Sequence, residues 1–328
     1  MSAAPQSAEE LPLFLCIGDL DVDVMIEVDR LPTRDGKVNG VVKQKAPGGM
    51  AGNVAAALAR LGSRVRVLGR VGDDADGAFA VKSLEQVGVD TSFVSRLDGV
   101  ATFSCISLIT SDGEKSLVKL MTSAYRPDAS DVTPAALKNV RHLHLTSIGD
   151  PALCRRVVEA ARSSGATASL DIERADCPDN AAALLDAIKG FDLIFCNGES
   201  RAFVDATLQR PLAGLGGELV TTLGADGAQV DSAEGRIASP GFTPKILDTT
   251  GAGDCFAAAC LHARLVAMLD WKDALRFANC AAAISTTGLG AQSALPTADQ
   301  VAAHLLPAPW GLSRELGFGR RKVGRDLA

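Results

Sequence analysis

The sequence predicts an α/β protein: a central, mostly parallel sheet with helices on both faces, plus a small β-sheet lid. Three observations predict it. Short Val/Ile/Leu runs alternate with alanine-rich stretches of helical period along most of the chain, the pattern of βαβ crossovers and hence of a parallel sheet. Hydrophobic residues make up 47% of the 328 positions and aromatics only 4%, so the core is large and aliphatic. Two β-rich sections, about residues 20–45 and 100–122, interrupt the alternation. They read as a separate small sheet, a lid, set into one domain spanning residues 13–305, with a tail over 306–328.

LFLCIG (Leu13 to Gly18) is an unbroken apolar run and reads as a buried first strand. A polar, valine-spaced section follows through Lys45. PGGMAGNVAAALARLG (Pro47 to Gly62) reads as a glycine turn opening a helix, with Gly62 as its stop. RVRVLGRVG (Arg64 to Gly72) is a strand, and the next helix ends near Val87 before Gly88. TFSCISLIT and EKSLVKLM flank Ser111 to Gly113, and β-rich runs around an Asp-Gly turn make a hairpin. HLHLTS (His142 to Ser147), TASLDI (Thr167 to Ile172) and DLIFCN (Asp192 to Asn197) are strands, each leading into a helix. ELVTTLG (Glu218 to Gly224) is the next strand, and helices over 253–269, 271–287 and 298–305 close the chain. His142 and His144 alternate with leucines, so both face one side of their strand, which favours packing over catalysis.

The totals exclude several classes. A net charge of −6 leaves no general basic face for a nucleic acid, and the basic stretch Gly319 to Arg325 reads as a solvated tail. Eight cysteines occur without a CxxC pair, which suits buried thiols in a reducing compartment rather than a disulfide frame or zinc site. MSAAPQSAEE lacks the charge pattern of a signal peptide. The uncharged run from Phe277 to Ala298 is broken by polar residues and proline, so it is a poor membrane span. A cytoplasmic protein with no membrane partner is the expectation. GxxxxGK[ST], GxGxxG after the first strand, HExxH and GxSxG are all missing.

The richest stretch is DTTGAGD (Asp248 to Asp254), where a strand-like section ending near Asp248 meets a helix. Glycines let the backbone approach a ligand closely. The first N–H groups of a helix and its dipole favour an anion. Gly251, Ala252 and Gly253 are therefore a candidate phosphate cradle. Asp254, at its edge, is expected to be kept ionised by the dipole and able to take a proton from a hydroxyl. GAGD alone fits a tight turn with a capping Asp equally well; the flanking Asp248, Thr249 and Thr250 exceed what a cap needs.

DTTGAGD resembles the C-terminal signature of the ribokinase-like, or PfkB, carbohydrate kinases. GGMAGN (Gly48 to Asn53), ahead of an alanine-rich helix ending in Leu-Gly, resembles the N-terminal one. The resemblance covers roughly residues 13–305 and implies a ribokinase-like, Rossmann-like fold. It also implies a kinase that phosphorylates a hydroxyl of a sugar with Mg2+ and ATP. It makes Asp254 the base and Gly251–Gly253 the anion hole, which agrees with the physical reading, since phosphoryl transfer needs positioning and charge neutralisation. It makes Asp23, Gly48, Gly49 and Asn53 sugar contacts. Asp21 lies on the same side of the extended segment and is either a further sugar contact or a solvated loop acid. TLGADGA (Thr222 to Ala228) resembles the nucleotide loop and also reads as an Asp-Gly hairpin turn. It carries Thr222, Gly224 and Gly227, while Asn279 falls near the adenine. GAQSALP (Gly290 to Pro296) resembles a monovalent-cation loop, implying K+ near Asp248 and Ser293. Lids in this family commonly pair subunits, which implies a homodimer.

Two departures stand out. The family's Asn-x-x-Glu reads Asn197-Gly198-Glu199-Ser200 here. Glu199 then either replaces the usual glutamate beside Mg2+ or the metal site is altered, with Asn197 beside the nucleotide. Thr146-Ser147 stands where some ribose-specific members carry glutamate, which weakens ribose itself as substrate. Lys37, Lys43 and Lys45 in the lid read as a solvated face; one pointing inward, or Arg126, would recognise an anionic sugar. A nucleoside kinase, a non-catalytic sugar or nucleotide sensor and a nicotinamide dehydrogenase are the competing readings. An aromatic base platform would favour the first; the lid region offers only Phe93, Phe103 and Tyr125.

Overall fold

The first strand, β1 (Leu13–Ile17), is buried at every position. Such a run suits only the middle of a sheet covered on both faces. A computed structural model of the chain describes residues 11–112, 114–146 and 148–305 and places β1 there. The basic tail and Ser147 lie outside the described residues. β1 pairs in parallel with β4 (Arg64–Gly72) on one side and β8 (Val140–Thr146) on the other. β5 (Asp90–Leu97) continues beyond β4. β9 (Thr167–Ile172), β10 (Leu193–Asn197) and β11 (Glu218–Thr222) continue in parallel beyond β8. Two antiparallel strands, β12 (Ala228–Ser232) and β13 (Gly235–Ser239), complete a nine-stranded sheet. The order β13-β12-β11-β10-β9-β8-β1-β4-β5 puts the carboxyl ends of β1 and β8–β11 on one edge, where such sheets bind ligands.

The lid is a four-stranded sheet. β2 (Asp21–Val28) lies between β3 (Gly40–Gly48) and β6 (Ser104–Thr110), and β7 (Lys115–Leu120) is the far edge. Its outer residues Val41, Val42, Leu117, Val118 and Met121 are exposed apolar groups. Two of its side chains reach the loops at the site. The Lys115 ammonium donates to Thr250 Oγ1 at 2.8 Å, and Gln44 Nε2 donates to the Leu289 carbonyl at 3.2 Å.

The helices α2 (Ala75–Gln86), α3 (Pro151–Ser164), α4 (Ala181–Ile188), α5 (Gly198–Leu208) and α7 (Trp271–Ser285) start where polar side chains satisfy free backbone N–H groups. Asp74, Asp150, Asn180, Asn197 and Asp270 do so in turn. α1 (Met50–Arg60) and α6 (Ala252–Leu265) lack such caps and begin on glycine. α8 (Ala298–Leu305) ends the described fold. Small side chains let helices α1 and α6 pack closely, with Ala55–Ala57 and Ala257–Ala259 in one buried cluster. That packing brings Asn53 to Asp254. Among the described residues no helix is long and apolar enough to cross a membrane.

One reading needs correction and another holds. The segment before Asp248 is not a strand: residues 240–249 have no regular structure, and Ile246 and Leu247 are exposed, so burial gives no reason for a strand there. His142 and His144 are buried as expected, tied to Ser169 by hydrogen bonds of 2.7 Å; burial lowers both to about 3, so they stay neutral.

Candidate active site

Helix α6 opens at the edge formed by the strand ends. Gly251 caps it in the left-handed conformation, φ 73°, and a Cβ there would lie 2.5 Å from Cβ of Ala291. Both facts require glycine. A Cβ on Gly253, by contrast, would meet nothing within 4 Å. Gly253 faces open space in two adjoining cavities, which share Thr222, Gly253 and Phe256. A backbone cradle at a helix N-terminus with room in front of it fits a phosphoryl group.

Asp254 lines one of these cavities and is 8% exposed. Its Oδ2 accepts a hydrogen bond of 2.8 Å from Asn53 Nδ2. Asn53 Oδ1 in turn accepts from Gln292 Nε2 at 3.0 Å. The dipole does not decide its ionisation. Burial pushes the carboxyl well above the usual range, the Asn53 bond pulls it back, and Asp171, Asp19 and Glu173 push it further up. This corrects the expectation from the dipole alone: desolvation and neighbouring carboxylates outweigh a partial charge. A raised carboxyl is the stronger base once it has lost its proton.

The acids expected on the sugar side come together beneath the lid. A Cβ on Gly48 would lie 2.2 Å from Asp21 Oδ1 and 2.5 Å from Asp23 Oδ2, so the two carboxylates flank a position only glycine fills. Asp21 is buried and not a solvated loop acid. Its Oδ1 has no hydrogen-bond partner, and Oδ2 accepts from Cys105 Sγ at 3.5 Å. Burial drives both carboxyls upward. Gly49 has φ 83° and lies against the Asp19 carbonyl, 2.5 Å from where a Cβ would be. Asp19 itself accepts from the Met50 N–H at 3.2 Å and from Thr146 Oγ1 at 3.3 Å.

The second cavity is the more apolar, with Gly224, Gly227, Phe242, Ile246 and Asn279 among its walls. The β11–β12 turn supplies Gly224 and Gly227, both with positive φ. Asn279 donates to the carbonyls of Ser239 and Pro240 at 3.1 Å, so its amide holds the wall of this cavity. Asp248 clamps two loops. It accepts from the Thr250 N–H and hydroxyl at 3.0 and 2.7 Å, and from the Gly290 N–H at 2.9 Å. Burial raises its carboxyl, but these bonds outweigh burial and hold it below the usual range. Ser293 lies in the same loop, its Oγ 2.3 Å from where a Gly288 Cβ would be.

Asn197 lines the first cavity while its side chain accepts from the Ser200 N–H at 2.7 Å. Glu199 does not line it. It is exposed and paired with Arg174 at 2.7 Å, because the first helical turn after Asn197 carries it outward. Besides Asp254, the acids that line the cavity are Asp171, on β9, and Glu173 just beyond it. Neither was singled out from the sequence, nor was Gln292. Asp171 near the carboxyl end of a parallel strand was the available signal; nothing in the sequence pairs Gln292 with Asn53.

The pfkB family carbohydrate kinase model matches residues 12–298. This chain belongs to that family. An ATP-dependent ribose-1-phosphate kinase from Halopiger xanaduensis is 34% identical over 299 residues, covering 89% of this chain and 97% of that protein. Among solved structures, Arabidopsis thaliana ribokinase complexed with ribose and ATP superposes with a TM-score of 0.78 at 22% identity, covering 91% of this chain and 99% of that one. A protein designated ribokinase II from E. coli, in complex with ATP and Mg2+, gives 0.78 at 23% identity, covering 90% and 99%. The chain is thus an ATP-dependent kinase of the sugar kinase class, with the ribokinase fold and a separate small sheet.

Proposed function

We propose that this kinase moves the terminal phosphoryl group of ATP to a hydroxyl of a sugar or sugar phosphate, with Asp254 as the base. The observation that carries the reading is the place of Asp254: buried, beside the glycine cradle, between the acid-lined sugar side and the apolar second cavity. The acceptor hydroxyl oxygen attacks the phosphorus, its proton passes to Asp254, and ADP leaves. Gly251–Gly253 stabilise the charge on the transferred group through backbone N–H groups. Asp21, Asp23 and Asn53 orient the sugar, and Thr222, Gly224 and Asn279 seat the nucleotide. The lid excludes water, which would otherwise compete as acceptor.

The residues that fit Mg2+ are the cavity oxygens of Asp171 and Glu173, hard ligands suited to a hard cation. When bound there, the ion would help neutralise the phosphate charge. Asp248, held ionised across two loops, and Ser293 support a K+ site. The exposed apolar lid residues support pairing of two lids into a homodimer. The buried free thiols support a reducing, cytoplasmic setting. A nucleoside acceptor is disfavoured because Phe103 and Tyr125 pack on each other, centroids 4.5 Å apart, and are buried, so neither offers a base platform. The test is ADP release from Mg·ATP over neutral sugars, sugar phosphates and nucleosides. Release with a sugar or sugar phosphate supports the reading; release with nucleosides alone overturns it.

A further inference from the structure

Two cations converge beside the sugar acids. Lys119, on β7 of the lid, and Arg126, in the loop before β8, both reach the same oxygen, Oδ1 of Asp176, at 3.8 and 3.5 Å. A charge-assisted hydrogen bond is normally about 2.7–2.9 Å, so neither contact is a committed one. Asp176 Oδ2 already accepts from the Tyr125 hydroxyl at 2.8 Å. The Tyr125 ring carries both cations, with Lys119 Nζ 5.5 Å and Arg126 Cζ 4.5 Å from its centroid. Arg126 is also seated against Gly149, where a Cβ would lie 2.0 Å from Nη1. These are partly buried side chains, 31% and 25% exposed, fixed on an aromatic platform rather than spread in solvent.

The pair adjoins the substrate pocket. Asp176 lies three residues past Glu173, a cavity wall. The Lys119 charge is felt by both Glu173 and Asp19. On the lid sheet Lys119 lies opposite Cys105, whose thiol donates to Asp21 at 3.5 Å, so the two cations that share the one carboxylate of Asp176 stand beside the sugar acids. The lysines that sequence position alone brings to mind do not share this place: Lys43 pairs with Glu27 and Lys45 with Asp76, and Lys37 is exposed.

We propose that Lys119 and Arg126, set on Tyr125 and Asp176, receive a phosphate group already present on the acceptor sugar. The inference rests on the kinase reading above and adds to it the residues that select the acceptor. A dianionic phosphate ester matches two separated donors better than a single hydroxyl does, and Arg engages it in a bidentate way.

The experiment uses ribose 1-phosphate as the probe, with ribose as the neutral comparison and a pentonate as the carboxylate comparison. The first readout is direct binding of the probe by calorimetry. Wild type should bind ribose 1-phosphate more tightly than ribose or the pentonate, and Arg126→Gln and Lys119→Gln should each weaken that binding by about 10–100-fold, the range of a lost hydrogen bond to a charged group. The second readout is the ratio of kcat/KM for ribose 1-phosphate to that for ribose, which should fall by the same order in both variants. Arg126→Lys should restore part of it. Nucleotide-induced thermal shift checks that each variant is folded. Equal binding of probe and ribose by wild type, tighter binding of the pentonate, or an unchanged ratio in folded variants overturns the proposal. Probe binding that depends on Arg126 without any turnover upholds the anion site and counts against the kinase reading instead.

Discussion

Asn53 and Asp254 lie 201 positions apart in the chain and form one buried hydrogen bond, Nδ2 to Oδ2, at 2.8 Å. Its direction is set from outside the pair. Gln292 donates to Asn53 Oδ1 at 3.0 Å, which turns the amide so that its N–H faces the carboxylate. The two family signatures thus meet at the proposed base, and a third segment fixes how they meet.

The first prediction concerns Gln292. Gln292→Ala frees the Asn53 amide to rotate. The bond that pulls the Asp254 carboxyl down is weakened, so the carboxyl rises further. The acid limb of the kcat/KM pH profile should move to higher pH, with kcat/KM at neutral pH falling about 10-fold, the worth of roughly one hydrogen bond to a charged group. A lower kcat with an unmoved acid limb would make Gln292 merely structural.

Asp254 itself predicts the form of that profile. The base acts deprotonated, and burial with neighbouring carboxylates holds its carboxyl well above the usual range. Activity should therefore fall as pH drops through a point well above the ordinary carboxylate value of about 4. A profile flat down to that value would contradict the assignment.

The cradle glycines should respond differently. Gly251→Ala places a Cβ at φ 73° against Ala291 and should cost about 1–3 kcal/mol of stability. Gly253→Ala places it in open space, gains up to about 1 kcal/mol of helix propensity, and should still lower kcat on the order of 10-fold by crowding the phosphoryl site. Paired denaturant melts and ADP-release assays separate the two.

His262 gives a stability test away from the chemistry. It is buried, bonded to Ser63 at 2.9 Å, and its pKa is lowered by burial from 6.5 to about 4. Below the unfolded value the unfolded chain takes a proton that the folded one refuses, so stability is lost as pH falls from 6.5 and the loss levels off near 4. Relative to His262→Gln, wild type should lose about 2 kcal/mol between pH 8 and pH 5, at about 1.4 kcal/mol per pH unit. A gap independent of pH would show that folded His262 takes up its proton as readily as the unfolded chain does, which contradicts the lowered value.

Much of this site was legible where local chemistry dictates it. The glycine turn before α6, the Gly-Gly entrance to α1 and the acids after β1 each carry their reason in a few adjacent residues. The alternating elements gave the parallel sheet. What was missed is non-local or conditional. β12 and β13 are five-residue antiparallel strands at one end of the sheet, the first buried only at Ala228 and Val230 and the second mostly exposed, so no apolar run marks them. β5 is only partly buried along its length, so no apolar run marks it either. Asp171 and Glu173 became site residues only when β9 was set beside β10, while Glu199 was turned outward by the helix it starts. The ionisation of Asp254 depends on how much protein covers it, and no motif encodes that.

The most direct test of the central claim is ADP release from Mg·ATP by wild type and Asp254→Asn with the same acceptor. Turnover on a sugar or sugar phosphate, lowered by about 10³-fold or more in the variant while ATP still raises its melting temperature, is the predicted result. A variant within about 10-fold of wild type, against an expected loss at the scale of a general base, would contradict it.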